Sequence, residues 1–177
     1  YAPFAEALER ETARLRQSID QDHWEVDLGR IIFPGQLALA QEHLQDARRA
    51  GARVVGGEVV DAERLLMRPA LVLDAKPGMR VMREESFAPV LPVMPVRSPE
   101  EAVQLANASR YGLSASVWGR DLERAEMLGA TLDVGLVGVN DVLGHYAVCA
   151  LPFGGFKDSG LGRRHSDEGL SMFTKPQ

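Results

Sequence analysis

Two places in the chain carry residue types that could support catalysis. Cys149 lies four residues after His145, so a thiolate nucleophile with a histidine base is one hypothesis. A small buried hydrophobe is the favoured interpretation of this cysteine, because free cysteines in proteins are commonly that. Glu84 and Glu85 form an acidic pair, and adjacent side chains of a strand face opposite sides of the sheet, so only one carboxylate could serve a site. A charged pair at the surface is the default interpretation of these two residues.

The stretch LPFGGFKDSGLGR, residues 151–163, places four glycines within nine positions. The usual phosphate-binding signatures are G-x-G-x-x-G and G-x-x-x-x-G-K-[ST], and neither spacing occurs here. The glycines are therefore predicted to mark sharp turns, or positions where the backbone comes too close to another group for a side chain to fit. They are Gly154, Gly155, Gly160 and Gly162. Phe153, which precedes them, could be a core aromatic residue or the wall of a pocket.

The histidines do not indicate a metal site. None of them has the spacing to other donor residues that zinc sites show, and positions on the solvated surface are expected instead. They are His23, His43, His145 and His165.

Composition limits the classes of partner. A net charge of -5 with scattered basic residues predicts no nucleic-acid or anionic-lipid partner. The longest apolar runs are interrupted by prolines and fall short of the roughly 20 residues that a membrane helix needs, so no membrane partner is predicted. The single cysteine cannot form an internal disulfide, and no signal peptide opens the chain, so we expect a soluble, cytoplasmic protein.

Apolar periodicity predicts the helices that position these residues. An amphipathic helix is expected near the start, and a second over PGQLALAQEHLQDARRAG. Their apolar faces are predicted to be Phe4, Leu8, Leu15 and Ile19, and Leu37, Ala40, Leu44 and Ala47, respectively. A third helix begins at a capping box formed by Ser98, Pro99 and Glu101. A fourth helix is predicted over RDLERAEMLGATLD, with Leu122, Ala125, Leu128 and Leu132 on one side.

The strand candidates are ARVVGGE, RPALVLD, PVLPVMPV, LSASVWG and VGLVGVN. Pro92 and Pro95 predict that the third is an edge strand or irregular. Helical crossovers join the last three strands and imply parallel pairing, so the fold class is α/β, a three-layer sandwich with a largely parallel sheet. Ligands of such sheets bind beyond the carboxyl ends of strands, and the loop after Asn140 leaves one of these ends.

Three stretches in order resemble the C-terminal part of the NAD(P)-dependent aldehyde dehydrogenase superfamily. They are EESFAPV at 84–90, ANASRYGLSASVWGRDLERAEMLGATLDVGLVGVN at 106–140, and LPFGGFKDSGLGR at 151–163. The earlier stretch DLGRIIFPGQLALAQEHLQDARRAGARVVGGE is also similar to that family, so nearly the whole chain is covered. The resemblance implies one partial catalytic domain over residues 1–177, truncated at both ends. It also implies a homo-oligomeric parent protein.

The resemblance implies oxidation of an aldehyde to a carboxylate with NAD or NADP. In that family a cysteine thiolate adds to the aldehyde, hydride leaves to the nicotinamide, and water then hydrolyses the thioester. Glu85 matches the glutamate that binds the ribose next to the nicotinamide, and Phe87 matches the aromatic residue that packs near that ring. Strand alternation would place the two side chains on the same face.

Phe153 matches the aromatic residue of the family's P-F-G-G motif, which helps to wall the substrate tunnel. Asn140 and the loop over 141–150 are then expected at the tunnel mouth, where His145, Tyr146 and Val148 are candidates for setting aldehyde preference. The sequence VNDVLGHYAV resembles the corresponding stretch of family members that act on medium- or long-chain and aromatic aldehydes.

The chain departs from the family pattern at two positions. Ala88 stands where glycine is usual, which should do little harm because the residue before a proline is extended. Arg164 stands where many members carry a glutamate of a proton relay, so that relay is in doubt here. The family's nucleophilic cysteine, its glutamate base and its nucleotide-binding domain would lie before Tyr1. Cys149 is in the wrong context for the nucleophile, so no catalytic residue is assigned in this chain.

The isolated polypeptide is therefore expected to lack dehydrogenase activity and to bind dinucleotide poorly. Two alternatives stay open. One is an acyl-phosphate reductase of the same superfamily, and the other is a non-catalytic module that keeps the fold for assembly or regulation.

Overall fold

A computed structural model describes residues 1–18 and 26–174 of the chain. They form two compact units, one on each side of the boundary between Pro95 and Val96. None of the described helices is long and apolar enough to span a bilayer.

The first unit is built around a mixed three-stranded sheet in the order β1-β4-β5. Strand β4 runs antiparallel to β1, with Arg53 opposite Leu73, and parallel to β5, with Ala70 opposite Val90. Between β1 and β4 in the chain, strands β2 (Val59–Asp61) and β3 (Leu66–Met67) pair with each other as an antiparallel hairpin. The elements are α1 (Ala2–Arg14), α2 (Pro34–Arg49), β1 (Arg53–Gly56), β2 (Val59–Asp61), β3 (Leu66–Met67), β4 (Ala70–Leu73), a 3-10 turn (Arg80–Met82) and β5 (Val90–Val93).

Both faces of β4 are buried, which gives the unit three layers. Ala70 and Val72 belong to the core cluster that contains the α2 stripe, whereas Leu71 and Leu73 pack with Ala5 of α1. A strand covered on both faces needs a continuous apolar sequence, and ALVL supplies it. The predicted α/β class is thus confirmed, with mixed rather than uniformly parallel pairing.

The buried faces of α1 and α2 agree only in part with the faces predicted from the sequence. The α2 stripe is buried as predicted, but His43 joins it, so the expectation of a surface position for that histidine is wrong. On α1 the buried residue is Ala5, whereas Phe4 is 62% exposed, because the helix turns its small residue toward Leu71 and Leu73. Ile19 and His23 lie outside the described residues.

The second unit contains the predicted crossover. Strands β7 and β8 are parallel, with Ser114 opposite Leu136, and α4 connects them. A short antiparallel pair of β6 and β9 places Tyr111 opposite Lys157. The elements are α3 (Pro99–Asn107), β6 (Tyr111–Gly112), β7 (Ser114–Val117), α4 (Leu122–Gly129), β8 (Leu136–Val139), a 3-10 turn (Gly144–Ala147), β9 (Phe156–Lys157) and α5 (Ser166–Ser171).

The packed face of α4 is narrower than predicted. Ala125 and Gly129 are buried, and a Cβ on Gly129 would come within 2.9 Å of Val137 Cγ1. Leu122, which the sequence pattern places on the same side as Ala125, is 56% exposed. The helix begins at Leu122 itself.

The α3 capping box forms with one exchange of partner. Ser98 Oγ accepts a hydrogen bond from Glu101 N at 3.2 Å, as predicted. The Glu101 carboxylate accepts from the backbone N–H of Arg97 at 2.6 Å, one residue before the cap. Arg97 also pairs with this carboxylate through its guanidinium, which accounts for the choice of partner.

Candidate functional site

The first candidate site is the segment from Glu85 to Ala88, which the first unit fixes at both ends. On the N-terminal side, Glu84 N donates to Arg80 O at 2.8 Å and so continues the 3-10 turn. On the C-terminal side, Pro89 O accepts from Ala70 N at 2.8 Å, one residue before β5 begins. Only four residues lie between these two anchors.

This segment is not a strand, so the prediction that strand alternation places Glu85 and Phe87 on the same face is wrong. The 3-10 turn leads directly into it, Pro89 has no N–H to donate to a ladder, and pairing begins only at Val90. Phe87 adopts the left-handed region with φ 46°. Glu85 and Phe87 therefore do not share a face through strand geometry.

Both side chains of the segment are nevertheless available to a ligand. Glu85 is exposed and forms no hydrogen bond or ion pair with any residue that the structure describes. The Phe87 side chain is 74% exposed. A carboxylate and an aromatic ring are thus presented from a segment that its neighbours hold in place.

Glu84 differs from Glu85 because it is tied into the unit. Its carboxylate accepts hydrogen bonds from Arg80 Nε at 2.9 and 3.0 Å and from Arg80 Nη2 at 2.8 Å, and it lies 3.1 Å from His43 Nε2. The Arg80 guanidinium, followed by His43, lowers the pKa of Glu84 from 4.5 to about 2. The acidic pair therefore consists of one anchored and one free carboxylate.

The glycine run of the second unit forms a second candidate site, and each glycine there has a steric reason. A Cβ on Gly154 would come within 2.5 Å of Gly162 O, and one on Gly155 within 2.5 Å of Ser159 Cβ. Gly160 and Gly162 have φ of 142° and 74°, which other residues rarely adopt. The predicted roles, close backbone approach and sharp turning, are what the geometry displays.

Phe153 and Arg164 close this run into a loop through two reciprocal backbone hydrogen bonds. Phe153 N donates to Arg164 O at 2.7 Å, and Arg164 N donates to Phe153 O at 2.6 Å. A cavity of about 320 Å³ lies against the loop, and Leu113, Phe153, Leu161 and Met172 supply its apolar wall.

Three rings meet at the base of the loop. Tyr146 contacts Phe153 edge-to-face, with centroids 5.1 Å apart, and lies 5.6 Å from the His165 ring. Phe153 and His165 are 6.0 Å apart. The structure thus brings together two of the predicted tunnel residues and adds His165, whose buried Nδ1 has no hydrogen-bond partner among the described residues.

His165 was assigned to the surface from the sequence, and its position in the ring cluster corrects that. The residue has φ 62° and precedes α5, so the backbone turns sharply there and directs the ring toward Phe153. Its placement directly after the glycine run was the one available signal. The side chain of His145 lies outside what the structure describes, and Val148 is 44% exposed.

Asn140 joins the ends of β7 and β8. Its amide donates to Gly119 O at 2.8 Å and accepts from Gly119 N at 2.9 Å, while its backbone N–H donates to Val117 O at 2.9 Å. With φ 51°, it also turns the chain into the following loop. The side chain is therefore engaged with backbone at the carboxyl end of the parallel pair.

Comparison with known proteins identifies the family. The family model described as "Aldehyde dehydrogenase family" matches residues 1–177. The chain belongs to the aldehyde dehydrogenase family. A 4,4'-diapolycopene aldehyde oxidase of Methylomonas sp is 44% identical over 150 residues, which is 85% of this chain and 28% of that protein. The NADP(+) succinate-semialdehyde dehydrogenase of Deinococcus radiodurans is 44% identical over 135 residues, 76% of this chain and 28% of that protein.

Solved structures of aldehyde dehydrogenases share the fold. The Mycobacterium tuberculosis aldehyde dehydrogenase complexed with NAD+ superposes with a TM-score of 0.91 at 29% identity, covering 99% of this chain and 36% of that one. A Bacillus cereus aldehyde dehydrogenase, E194S mutant, gives 0.90 at 29% identity, covering 99% and 35%. This aldehyde dehydrogenase chain therefore spans about a third or less of the length of the proteins it matches.

The only cysteine of this aldehyde dehydrogenase chain, Cys149, is exposed, so the favoured expectation of a small buried hydrophobe is wrong. Its Sγ lies 3.9 Å from Ala147 O, and its carbonyl accepts from Ser166 N at 3.0 Å. Neither contact is with a group that could deprotonate the thiol. Within the described residues, no group of three His, Cys, Asp or Glu side chains is arranged to bind a metal ion.

Proposed function

We propose that these 177 residues are the C-terminal part of the catalytic domain of an enzyme that oxidises an aldehyde to a carboxylate with NAD+ or NADP+. The family match over residues 1–177 supports the reaction class. The choice of cofactor is supported by relatives named as NADP(+) enzymes and by a neighbour solved with NAD+. In this proposal the chain contributes binding and positioning groups, and the parent protein is a homo-oligomer.

The residues of the first site fit a dinucleotide. An ionised carboxylate only accepts hydrogen bonds, so the unpaired Glu85 can receive those of two neighbouring ribose hydroxyls. The exposed Phe87 ring offers an apolar face to a flat heterocycle. When bound, the nicotinamide accepts the hydride that the aldehyde carbon loses. The observation that carries the proposal is the exposure of Glu85 and Phe87 on a segment fixed at both ends.

The second site is proposed to wall the path of the aldehyde. Phe153 and Tyr146 form an edge-to-face aromatic pair, and Leu113, Phe153, Leu161 and Met172 form the apolar part of an adjoining cavity whose lining is about half polar. Asn140 and His145 are proposed to lie along the same path. We therefore propose a bulky apolar aldehyde as substrate, in line with the relative named for a diapolycopene aldehyde.

The isolated 177-residue polypeptide is proposed to be inactive, because the described contacts of Cys149 are with backbone groups and Cys149 is not assigned as the nucleophile. Substitution of Cys149 by alanine in the complete enzyme should then leave aldehyde oxidation intact.

Titration calorimetry of the complete enzyme with NAD+ and NADP+ tests the proposal. The Glu85→Gln variant should weaken binding of the preferred dinucleotide by about tenfold or more, because a hydrogen bond to a charged group is lost. Glu63→Gln is the matched control, since Glu63 is another exposed glutamate of the same unit. Equal dinucleotide affinity in Glu85→Gln and Glu63→Gln would contradict the assignment.

A further inference from the structure

His43 is a buried titratable group that the proposed chemistry leaves without a role. Its side chain is 0% exposed and lies on α2 between the core residues Ala40 and Leu44. Its Nε2 is 3.1 Å from Glu84 Oε2. Because an ionised carboxylate can only accept, Nε2 carries the proton, and the buried Nδ1 has no partner among the described residues. Burying a polar ring among apolar residues lowers stability unless the ring is hydrogen-bonded, so the contact with Glu84 offsets part of the cost of burying His43.

That hydrogen bond is one of three by which α2 holds the residues before Glu85. Glu42 Oε2 accepts from Arg80 Nη1 at 3.0 Å, and Asp46 Oδ2 accepts from the backbone N–H of Arg80 at 2.9 Å. Arg80 in turn holds Glu84 through its guanidinium. We name this set the Glu84 network: Glu42, His43, Asp46, Arg80 and Glu84.

The network acts on the direction of the chain as it enters the exposed segment. Arg80 ties the Glu84 carboxylate to α2 only indirectly, through its own hydrogen bonds to Glu42 and Asp46. Among the described residues of α2, His43 is the one that contacts the Glu84 carboxylate directly, and its ring is buried beside the core residues of that helix. Its contact fixes the Glu84 carboxylate relative to the body of the unit, and Glu85 follows by one peptide bond.

We propose that His43 is a positioning residue that sets the orientation of Glu85 and Phe87 for dinucleotide binding by anchoring Glu84 to α2. The inference rests on the proposed function, since it assigns His43 to the cofactor side of that reaction. A site held by hydrogen bonds from a packed helix is more precise than one on an unsupported loop, and small misplacements of binding groups cost much affinity.

The test uses the complete enzyme with three variants. His43→Leu removes the donor while keeping an apolar side chain in the core. His43→Gln keeps an N–H donor on a side chain of similar reach. Leu44→Ala is the matched control, because Leu44 is equally buried on α2 and its side chain lies near Gly57. It destabilises the core and removes no hydrogen-bonding group of the Glu84 network.

Two measurements are made on each variant: dinucleotide affinity by calorimetry, and hydrogen exchange of the Met82, Arg83 and Glu84 amides in the unliganded protein, which donate to Met79 O and Arg80 O. In His43→Leu we expect roughly tenfold weaker dinucleotide binding and exchange at 82–84 roughly tenfold faster. We expect His43→Gln to restore most of both, and the Michaelis constant for the aldehyde to change far less. Leu44→Ala should lower the unfolding temperature while leaving both measurements near wild type.

Unchanged affinity or unchanged exchange in His43→Leu would overturn the inference, as would equal changes in Leu44→Ala. If the wild-type enzyme binds neither dinucleotide, the proposed function fails and the cofactor role of His43 fails with it. The exchange measurement is independent of any dinucleotide, so it shows in that case whether the anchoring of Glu84 itself is real.

Discussion

A methyl group added at Gly155 should test the close packing of the glycine loop. In the structure a Cβ on this buried residue would lie 2.5 Å from Ser159 Cβ and 2.6 Å from Ser159 O. Because carbon atoms in contact stay about 3.5–4.0 Å apart, the Ser159 backbone must retreat by about 1 Å. That shift also strains the hydrogen bond from Gly112 N to Ser159 Oγ, which is 3.0 Å long. Gly155→Ala should therefore lower the free energy of unfolding by about 2 kcal/mol.

Urea denaturation followed by circular dichroism measures this loss, provided that the slope with denaturant is unchanged. Gly119→Ala is the matched control in the same unit, because a Cβ there would have no neighbour closer than 3.7 Å. Its unfolding free energy should stay within about 0.5 kcal/mol of wild type. The reasoning would be refuted if Gly155→Ala were as stable as Gly119→Ala.

Three further outcomes are expected. Phe153→Ala should raise the Michaelis constant for aromatic aldehydes about tenfold in steady-state assays, with little effect on a small aliphatic aldehyde; a uniform loss would contradict its role as a wall. Ser98→Ala should cost about 1 kcal/mol of unfolding free energy in denaturation, because Glu101 N loses its cap; no loss would show that the Arg97 contact suffices. Since the pKa of Glu84 falls from 4.5 to about 2 on folding, its charge stabilises the protein above pH 4.5 and this stabilisation disappears as the pH falls toward 2. The stability difference between wild type and Glu84→Gln should shrink over that range, and a constant difference would contradict the ion pair.

Local sequence signals predicted the regular elements of this fold well. The α2 stripe, the Ser98 cap and the parallel β7–β8 crossover follow from periodicity and capping, which depend on neighbouring residues only. Pro92 and Pro95 predict an edge strand or an irregular one, and β5 lies at one edge of the three-stranded sheet in the described part of the chain.

The parts that escaped prediction depend on contacts distant in sequence. Phe87 follows a 3-10 turn rather than a strand, because Glu84 is held by Arg80 and by His43 of α2, which is 41 positions earlier. His43 is buried although its type suggests the surface, and only its pairing with Glu84 explains that position. His165 joined the Phe153 cluster through a backbone turn at positive φ, which no side-chain pattern announces.

The candidate site residues were predicted from the resemblance to the aldehyde dehydrogenase family, and the structure shows which of their side chains are bound within the protein and which are exposed. Residue type does not distinguish Glu84 from Glu85, yet the Glu84 carboxylate is bound by Arg80 whereas the Glu85 carboxylate is exposed and has no partner among the described residues. The resemblance predicts Asn140 at the tunnel mouth, and the structure shows that its side-chain amide forms hydrogen bonds with the Gly119 backbone. The sequence alone does not predict this partner, because Gly119 is 21 positions earlier.

A crystal structure of the complete enzyme with its dinucleotide tests the central claim most directly, because it locates the ribose next to the nicotinamide. We expect both Glu85 carboxylate oxygens within about 2.5–3.0 Å of ribose hydroxyl oxygens and the Phe87 ring against the nicotinamide. A dinucleotide bound with Glu85 facing solvent, or with another carboxylate on that ribose, would contradict the account.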